Sequence, residues 1–210
     1  MIVSSRIRAF SMPRVREAYA RSPVLANSAM SFVCYALSDI IAQRADANND
    51  KKIDGVRLLS VSLCGPILGG VCLTKLYKNL DRFIGSGHSL KVAARKIFFM
   101  QIVYMPFSVS TFIFLSSSLN AFLKGERLTV ACGEASAVTK LRWREAYWTS
   151  WFIWPVSDAF NFTLVQRHMP AARPTWDAVV MVAWNAYLSW RAIGGHSITE
   201  VLFPVRMANV

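Results

Sequence analysis

Two carboxylates stand where a charge is hard to keep. Asp39 falls in a run from Ser22 to Gln43 that is otherwise uncharged, and Asp158 falls in an aromatic-rich run from Ala146 to Val165. An acid inside an apolar segment needs water, a cation or a base. Other polar side chains recur beside them at helical spacing. The first run offers Ser31, Tyr35, Asp39 and Gln43, and a later one offers Gln101, Tyr104, Ser108, Thr111 and Ser118. The run around Asp158 offers Tyr147, Ser150, Trp154 and Asn161, and Asn185 and Ser189 follow further on. Each segment therefore carries one wettable edge, and the edge from Gln101 to Ser118 is roughly 26 Å long at ~1.5 Å per residue. Two chemistries fit such edges. Hydroxyls and amides can hydrogen-bond across packed helices, or the edges can face a shared aqueous path. The two acids favour a polar interior lined or organised by Asp39, Gln43, Gln101, Asp158, Asn161 and Asn185, with Arg57, Lys75 and Arg191 as candidate partners for a buried ion pair.

Catalytic patterns are missing. The chain has no GxxxxGK[ST], GxSxG, HExxH or GxGxxG, and His88, His168 and His196 have no partner at a useful spacing. No nucleophile, base and oxyanion site can be assembled, so no enzyme is expected. Cys34, Cys64 and Cys72 lie in apolar stretches and Cys132 stands alone. They read as small hydrophobes, and neither a metal nor another cofactor is expected.

The elements that hold these side chains are long and apolar. Of 210 residues, 54% are hydrophobic and 17% charged, with a mean hydropathy of +0.33. A soluble domain carries about 25% charged residues, and the 12% aromatic content excludes disorder. A membrane-spanning helix needs about 20 mostly apolar residues. Four stretches qualify: 22–43, 58–74, 97–123 and 146–165, the third being 27 residues without a charge. A fifth, Ala178 to Trp190, is too short by itself. The fold class expected is an all-α polytopic membrane bundle of four transmembrane helices and a doubtful fifth. Residues 1–21 form an Arg-rich arm, 22–191 one membrane domain and 192–210 a tail. Stretches 46–54 and 131–139 read as polar loops.

Pro66, Pro106 and Pro155 each fall inside a span and free the carbonyls of Ser62, Ile102 and Trp151, so they read as kinks that shape the interior. Gly65 and Gly69, extended by Gly70, form a small-xxx-small face for close helix approach within the monomer or in an oligomer. The 24 Lys and Arg against 12 Asp and Glu flank the spans, Lys96 and Arg173 counted among the loop charges. Flanking charges of this kind meet anionic lipid headgroups rather than nucleic acid. With four spans they favour a matrix-like or cytoplasmic side for the N-terminus, and with five the two sides nearly balance. The arm fits equally a mitochondrial import segment and a set of charges flanking the first span.

The C-terminal third reads Trp151-Phe152-Ile153-Trp154-Pro155, then Asn161-Phe162, then Trp184-Asn185-Ala186-Tyr187-Leu188-Ser189-Trp190. It resembles the family of the mitochondrial inner-membrane protein Mpv-seventeen and the 22-kilodalton peroxisomal membrane protein. Tyr19 to Gln43, Gly65-Pro66, Tyr77, Leu80-Asp81-Arg82-Phe83 and Lys96 to Pro106 extend the resemblance over about residues 17–191. Departures are informative. The family's Asp-Gln in the third span is Met100-Gln101 here, and its Gln after Trp-Pro is Asp158, so one acid is lost and another gained. Leu76 replaces a Trp, and Val165-Gln166 replaces Val-Pro. The resemblance implies a protein of the mitochondrial inner membrane, or less often the peroxisomal one, that acts as a small-metabolite channel and supports membrane potential, nucleotide supply and mitochondrial DNA maintenance. The rival expectation is a non-conducting accessory subunit of a larger membrane complex. Partners expected are membrane lipids and either a second copy or such a complex.

Overall fold

The computed structural model describes residues 12–45, 52–87 and 89–192. Arg6 and Arg8 of the arm, Lys51, His88, His196 and residues 193–210 lie outside it. Asn185 sits in a helix, but its side chain also lies outside the described part. Every described element is helical. The uncharged runs become α1 (Met12–Arg21), α2 (Pro23–Ala45), α3 (Gly55–Phe83), α4 (Leu90–Leu123), α5 (128–168) and α6 (Arg173–Ala192). Charges end the runs in the sequence without ending the helices. α3 continues through Lys75, Lys78, Asp81 and Arg82, and α4 starts before Arg95 and Lys96. The stretch 131–139, expected as a loop, is helical. Ala131 and Ala135, four apart, are buried while Gly133 and Glu134 face out, which is the pattern of an amphipathic helix.

Three of these helices are long and apolar enough to cross a membrane: Pro23–Arg44, Gly55–Phe83 and Leu90–Leu123. The fourth expected span lies in α5, whose first half carries Glu134, Lys140, Arg142, Arg144 and Glu145. In its second half Tyr147, Trp148, Trp151 and Trp154 and the polar Thr149, Ser150, Ser157, Asp158 and Asn161 dilute the aliphatic residues, so α5, though long enough, does not join the three on hydropathy.

α2 to α6 run alternately up and down in a closed ring. α5 lies along α4, α4 along α3, α3 along α2 and α2 along α6, which returns to the end of α5. Three wide turns interrupt the helices, at Pro66–Cys72, Met100–Tyr104 and Asn161–Val165. The N–H groups of Leu73, Met105 and Gln166 there reach back five residues, to Leu68, Met100 and Asn161. Pro66 opens the first wide turn and Pro106 follows the second, where a missing N–H leaves the ladder one donor short. Pro155 remains inside the regular part of α5.

The burial pattern is inverted relative to a soluble protein. Exposed apolar side chains form i, i+4 stripes: Leu59, Leu63, Ile67 and Val71 on α3, and Trp148, Phe152, Val156, Phe160 and Leu164 on α5. Asn27, Gln43, Lys96, Gln101, Asp158 and Asn161 are buried. A water-facing surface does not carry contiguous apolar stripes of this extent, and a lipid-facing one does.

The Gly65–Gly69 face is filled from within the chain. A Cβ on Gly65 would lie 2.6 Å from the Ser31 carbonyl oxygen, and one on Gly70 would lie 2.6 Å from the Ser28 Cα. A Cβ on Gly69 would meet the Ser31 side chain. α2 therefore sits directly on the backbone of α3. Where α3 starts, Asp54 caps it by accepting from the N–H groups of Val56 and Arg57, both at 3.0 Å. These bonds, the Arg57 amide first, hold its carboxyl below the usual carboxylate range. Gly65→Ala should lower the thermal midpoint in detergent by the equivalent of about 1–3 kcal/mol through overpacking against α2. Gly133→Ala, with nothing within 4 Å of the added carbon, should hold or raise it. Equal midpoints for the two variants would contradict this packing.

Candidate functional site

The sequence places its polar side chains on separate helices, and the ring gathers them at three levels. At one end the last turn of α3 brings Asp81, the first turns of α4 bring Lys96, the end of α5 brings Gln166 and the start of α6 brings Arg173. Lys96 Nζ donates to Asp81 Oδ1 at 2.7 Å and to Gln166 Oε1 at 2.9 Å. Arg173 Nη1 donates to Asp81 Oδ1 at 2.9 Å and to Gln166 Oε1 at 3.3 Å, its Nη2 binds Asp81 Oδ2, and its Nε donates to the Pro170 carbonyl. Gln166 Nε2 closes the cluster by donating to the carbonyls of Ser86 and Gly87 in the α3–α4 connection. Lys96 is fully buried and Arg173 is 4% exposed, while Asp81 keeps 23%. The cations also lie over rings, Lys96 at 5.4 Å from the centre of Phe162 and Arg173 at 5.0 Å from that of Tyr77.

One turn deeper, four residues on from Asp81 and Arg173 towards the middle, stand Tyr77 and Asp177. The Tyr77 hydroxyl donates to Asp177 Oδ2, and Asn161 Nδ2 donates to Asp177 Oδ1 at 2.8 Å. Asn161 Nδ2 also reaches the Tyr77 oxygen and the Arg173 carbonyl. Asp158 lies one turn before Asn161, in the neighbourhood of Asp177, Tyr77 and Tyr104. It is fully buried, and neither of its oxygens has a hydrogen-bond partner. Gln101, in the wide turn of α4, is likewise fully buried with its amide unpartnered, as is the side-chain oxygen of Asn161.

Beyond this level lies a cavity of about 70 Å³, lined by Tyr104, Ser108, Asp177, Trp154 and Trp184 among others. Past it the interior is apolar, closed by Tyr35, Cys64 and Leu68 with Phe112, Leu115 and Leu119 against them. At the far end Asp39 accepts from Arg57 Nε at 3.0 Å and from Gln43 Nε2 at 2.7 Å. Gln43 in turn holds both backbone groups of Asp54, and Lys124 reaches Asp54 Oδ2 at 2.9 Å. Arg57 and Asp81 are 24 positions apart on α3, roughly 36 Å at ~1.5 Å per residue. That separation compares with a hydrocarbon thickness of about 30 Å, so the two ion clusters mark the two ends of the bundle.

The structure thus brings Gln101, Asp158 and Asn161 to one end and Asp39 and Gln43 to the other, rather than along one common stripe. Asp39 pairs with Arg57, one of the expected bases. Lys96 and Arg173, expected among headgroup-facing loop charges, are withdrawn into the interior because Asp81 and Gln166 receive them. Asp177, Gln166 and Asn27 also emerge only here. Asn27 binds Thr74, Thr175 and the Ala171 carbonyl, joining α2 to α3 and α6. A signal was present: Lys96 extends the Tyr104–Ser108 edge backwards by two i, i+4 steps, and Arg173 and Asp177 share a face. Treating charges as run boundaries hides both. Among the described residues, no group of three or more His, Cys, Asp or Glu is placed to hold a metal ion.

Residues 131–189 match the model of the Mpv17 / PMP22 family. The chain is 31% identical over 140 residues to the mitochondrial inner membrane protein Mpv17 of Xenopus laevis, covering 65% of this chain and 69% of that protein. It is 31% identical to the human protein of the same name over 74% of this chain and 82% of that one. With the protein SYM1 of Kluyveromyces lactis, it shares 24% identity over 81% and 84%. No solved structure matches.

Asp81→Asn would leave two buried cations without a carboxylate, and should destabilise the bundle by about 3–5 kcal/mol. Lys124→Gln, which breaks a half-exposed pair, should stay within about 1 kcal/mol. Thermal unfolding in detergent, followed by circular dichroism, separates the two; a mild Asp81→Asn would remove the cluster from its structural role.

Proposed function

The chain belongs to the Mpv17 / PMP22 family and is an integral protein of the mitochondrial inner membrane, and from that premise we propose that it forms a weakly selective path for small solutes through the centre of its helical ring. The observation that carries this reading is the continuous file of buried polar groups. It leads from the partly exposed Asp81 past Tyr77, Asp177, Asn161 and Asp158 to the cavity beside Tyr104 and Ser108. A helix interface designed only to pack would end each polar group on a partner. Here Asp158 and Gln101 end on none.

On this reading the present conformation is the shut one. A cavity of about 70 Å³ has room for only a few waters. The apolar section at Tyr35, Leu68 and Phe112 separates it from the Asp39 cluster, in the manner of a hydrophobic gate. α5 counts as the fourth span, since its exposed stripe from Trp148 to Leu164 extends roughly 24 Å. α6, 20 residues long and laid along α2, counts as the fifth. Pro66, Pro106 and Pro155 shape the path, and the basic residues near the helix ends, such as Arg44, Arg82 and Arg95, meet anionic headgroups. No chemical step is assigned. The cellular role that follows is solute exchange in support of membrane potential and of nucleotide and mitochondrial DNA homeostasis.

The rival, a non-conducting accessory subunit, would use the Gly65–Gly69 face for docking, and α2 occupies that face. Reconstitution in a planar bilayer decides between them. Discrete conductance steps are expected, with an ion selectivity that shifts in Asp158→Asn and Asp158→Gln and less so in Asp39→Asn, whose carboxylate is already paired. A silent bilayer containing folded, helical protein would favour the accessory subunit.

A further inference from the structure

The charges inside the Asp81 end of the bundle do not balance. Two bases, Lys96 and Arg173, share this end with three acids, Asp81, Asp177 and Asp158, and two of these acids are fully engaged. Asp81 takes both cations, and Asp177 takes Tyr77 and Asn161. Asp158 is the acid left over, fully buried, with both oxygens unpartnered. Two further oxygens share its condition: the side-chain oxygens of Asn161, one turn along the same helix, and of Gln101. The antiparallel register brings Gln101 to the same level. Lys96 of α4 meets Phe162 and Gln166 of α5, and Met105 of α4 packs with Trp154 of α5. Midway between those contacts, Gln101 stands level with residues 158–161.

We propose that Asp158, Asn161 and Gln101 form a binding site for one alkali-metal cation, entered from the cavity beside Asp177 and Tyr104. The chemistry of the donors selects this ligand. One carboxylate supplies a single negative charge, which a monovalent ion neutralises and a divalent ion would exceed. Two amide oxygens and a carboxylate are hard ligands, and no thiol or imidazole stands among them. A proton on Asp158 would satisfy one oxygen and leave the amide oxygens of Asn161 and Gln101 as they are. Gln101 Nε2 is also unpartnered and reaches none of these oxygens; a cation at their centre engages all four oxygens at once, which satisfies buried acceptors that no donor reaches. The site lies at the wide turns of α4 and α5, and such turns are often found at functional positions. This inference deepens the solute-path reading by placing an ion in the path, but the binding itself does not require conduction.

The test is thermal unfolding of the full chain in detergent at fixed pH and ionic strength, with N-methylglucamine chloride replaced stepwise by sodium or potassium chloride. The wild type should gain roughly 3–6 °C, saturably, at about tenfold excess over the dissociation constant. Asp158→Asn, which keeps the shape and removes the charge, should show no saturable gain. Gln101→Leu should shift the midpoint of the titration to at least several-fold higher salt. Equal responses in wild type and Asp158→Asn would overturn the site. So would a difference that follows pH and ignores the alkali ion, which would assign the charge to a proton. A saturable gain in a protein that is silent in bilayers would keep the site and reject the path.

Discussion

At one end of the bundle a single carboxylate, Asp81, binds two cations that the fold has almost wholly withdrawn from solvent, and the positions of four helices follow from that arrangement. Lys96 cannot leave the interior without breaking its bonds to Asp81 and Gln166, and Arg173 is held by the same pair. The ends of α3 and α5 and the starts of α4 and α6 are thereby tied together. In a medium of low dielectric, such a cluster is stabilising only while it remains complete. Its integrity also sets the level of the next layer, because Tyr77 and Asp177 lie four residues inward from Asp81 and Arg173. Asn161 then bridges Asp177 to α5 and leaves Asp158 and Gln101 beyond it.

Lipid explains why these groups are inside. With apolar stripes such as Leu59–Leu63–Ile67–Val71 turned outward, hydrophobic burial contributes little to helix association in a bilayer. Close contact and polar bonds must do it instead. Close contact is supplied where α2 lies on Gly65, Gly69 and Gly70. Polar bonds are supplied by Asn27, by the Asp81 cluster and, at the far end, by Asp39 with Arg57 and Gln43. The middle, around Tyr35, Cys64, Leu68 and Phe112, is apolar. The interior therefore has two polar ends and a dry waist, a form that suits a path that opens and shuts better than a permanently open one.

Much of this was legible in the sequence, and the rest was hidden for identifiable reasons. Uncharged runs located α2, α3 and α4, and the stripe logic found Gln101, Asp158 and Asn161, because the interior face of a helix repeats every three or four residues whatever surrounds it. Helix ends were harder. Lys75, Lys96 and Glu145 bound an uncharged run but do not end a helix, so α3, α4 and α5 all extend further than their runs. Partner choice was hidden as well. Lys96, Asp81, Gln166 and Arg173 are separated by up to 92 positions, and nothing local indicates that they meet. Asp39 shows the same limit. Its spacing placed it on the shared stripe with Arg57, Lys75 and Arg191 as candidate partners, and only the fold selects Arg57.

Whether water reaches the interior from the Asp81 end is the point on which the account turns, and Ser108, on the cavity wall, is the place to measure it. With Cys34, Cys64, Cys72 and Cys132 replaced by alanine, Ser108→Cys in proteoliposomes would be exposed to a small, charged, water-soluble thiol reagent. Modification at a rate well above that of a lipid-facing control, Val156→Cys, is the expected result, and it should suppress the conductance. A Ser108→Cys thiol that stays unmodified while an aqueous-face control such as Glu126→Cys reacts would contradict a solute path through this interior.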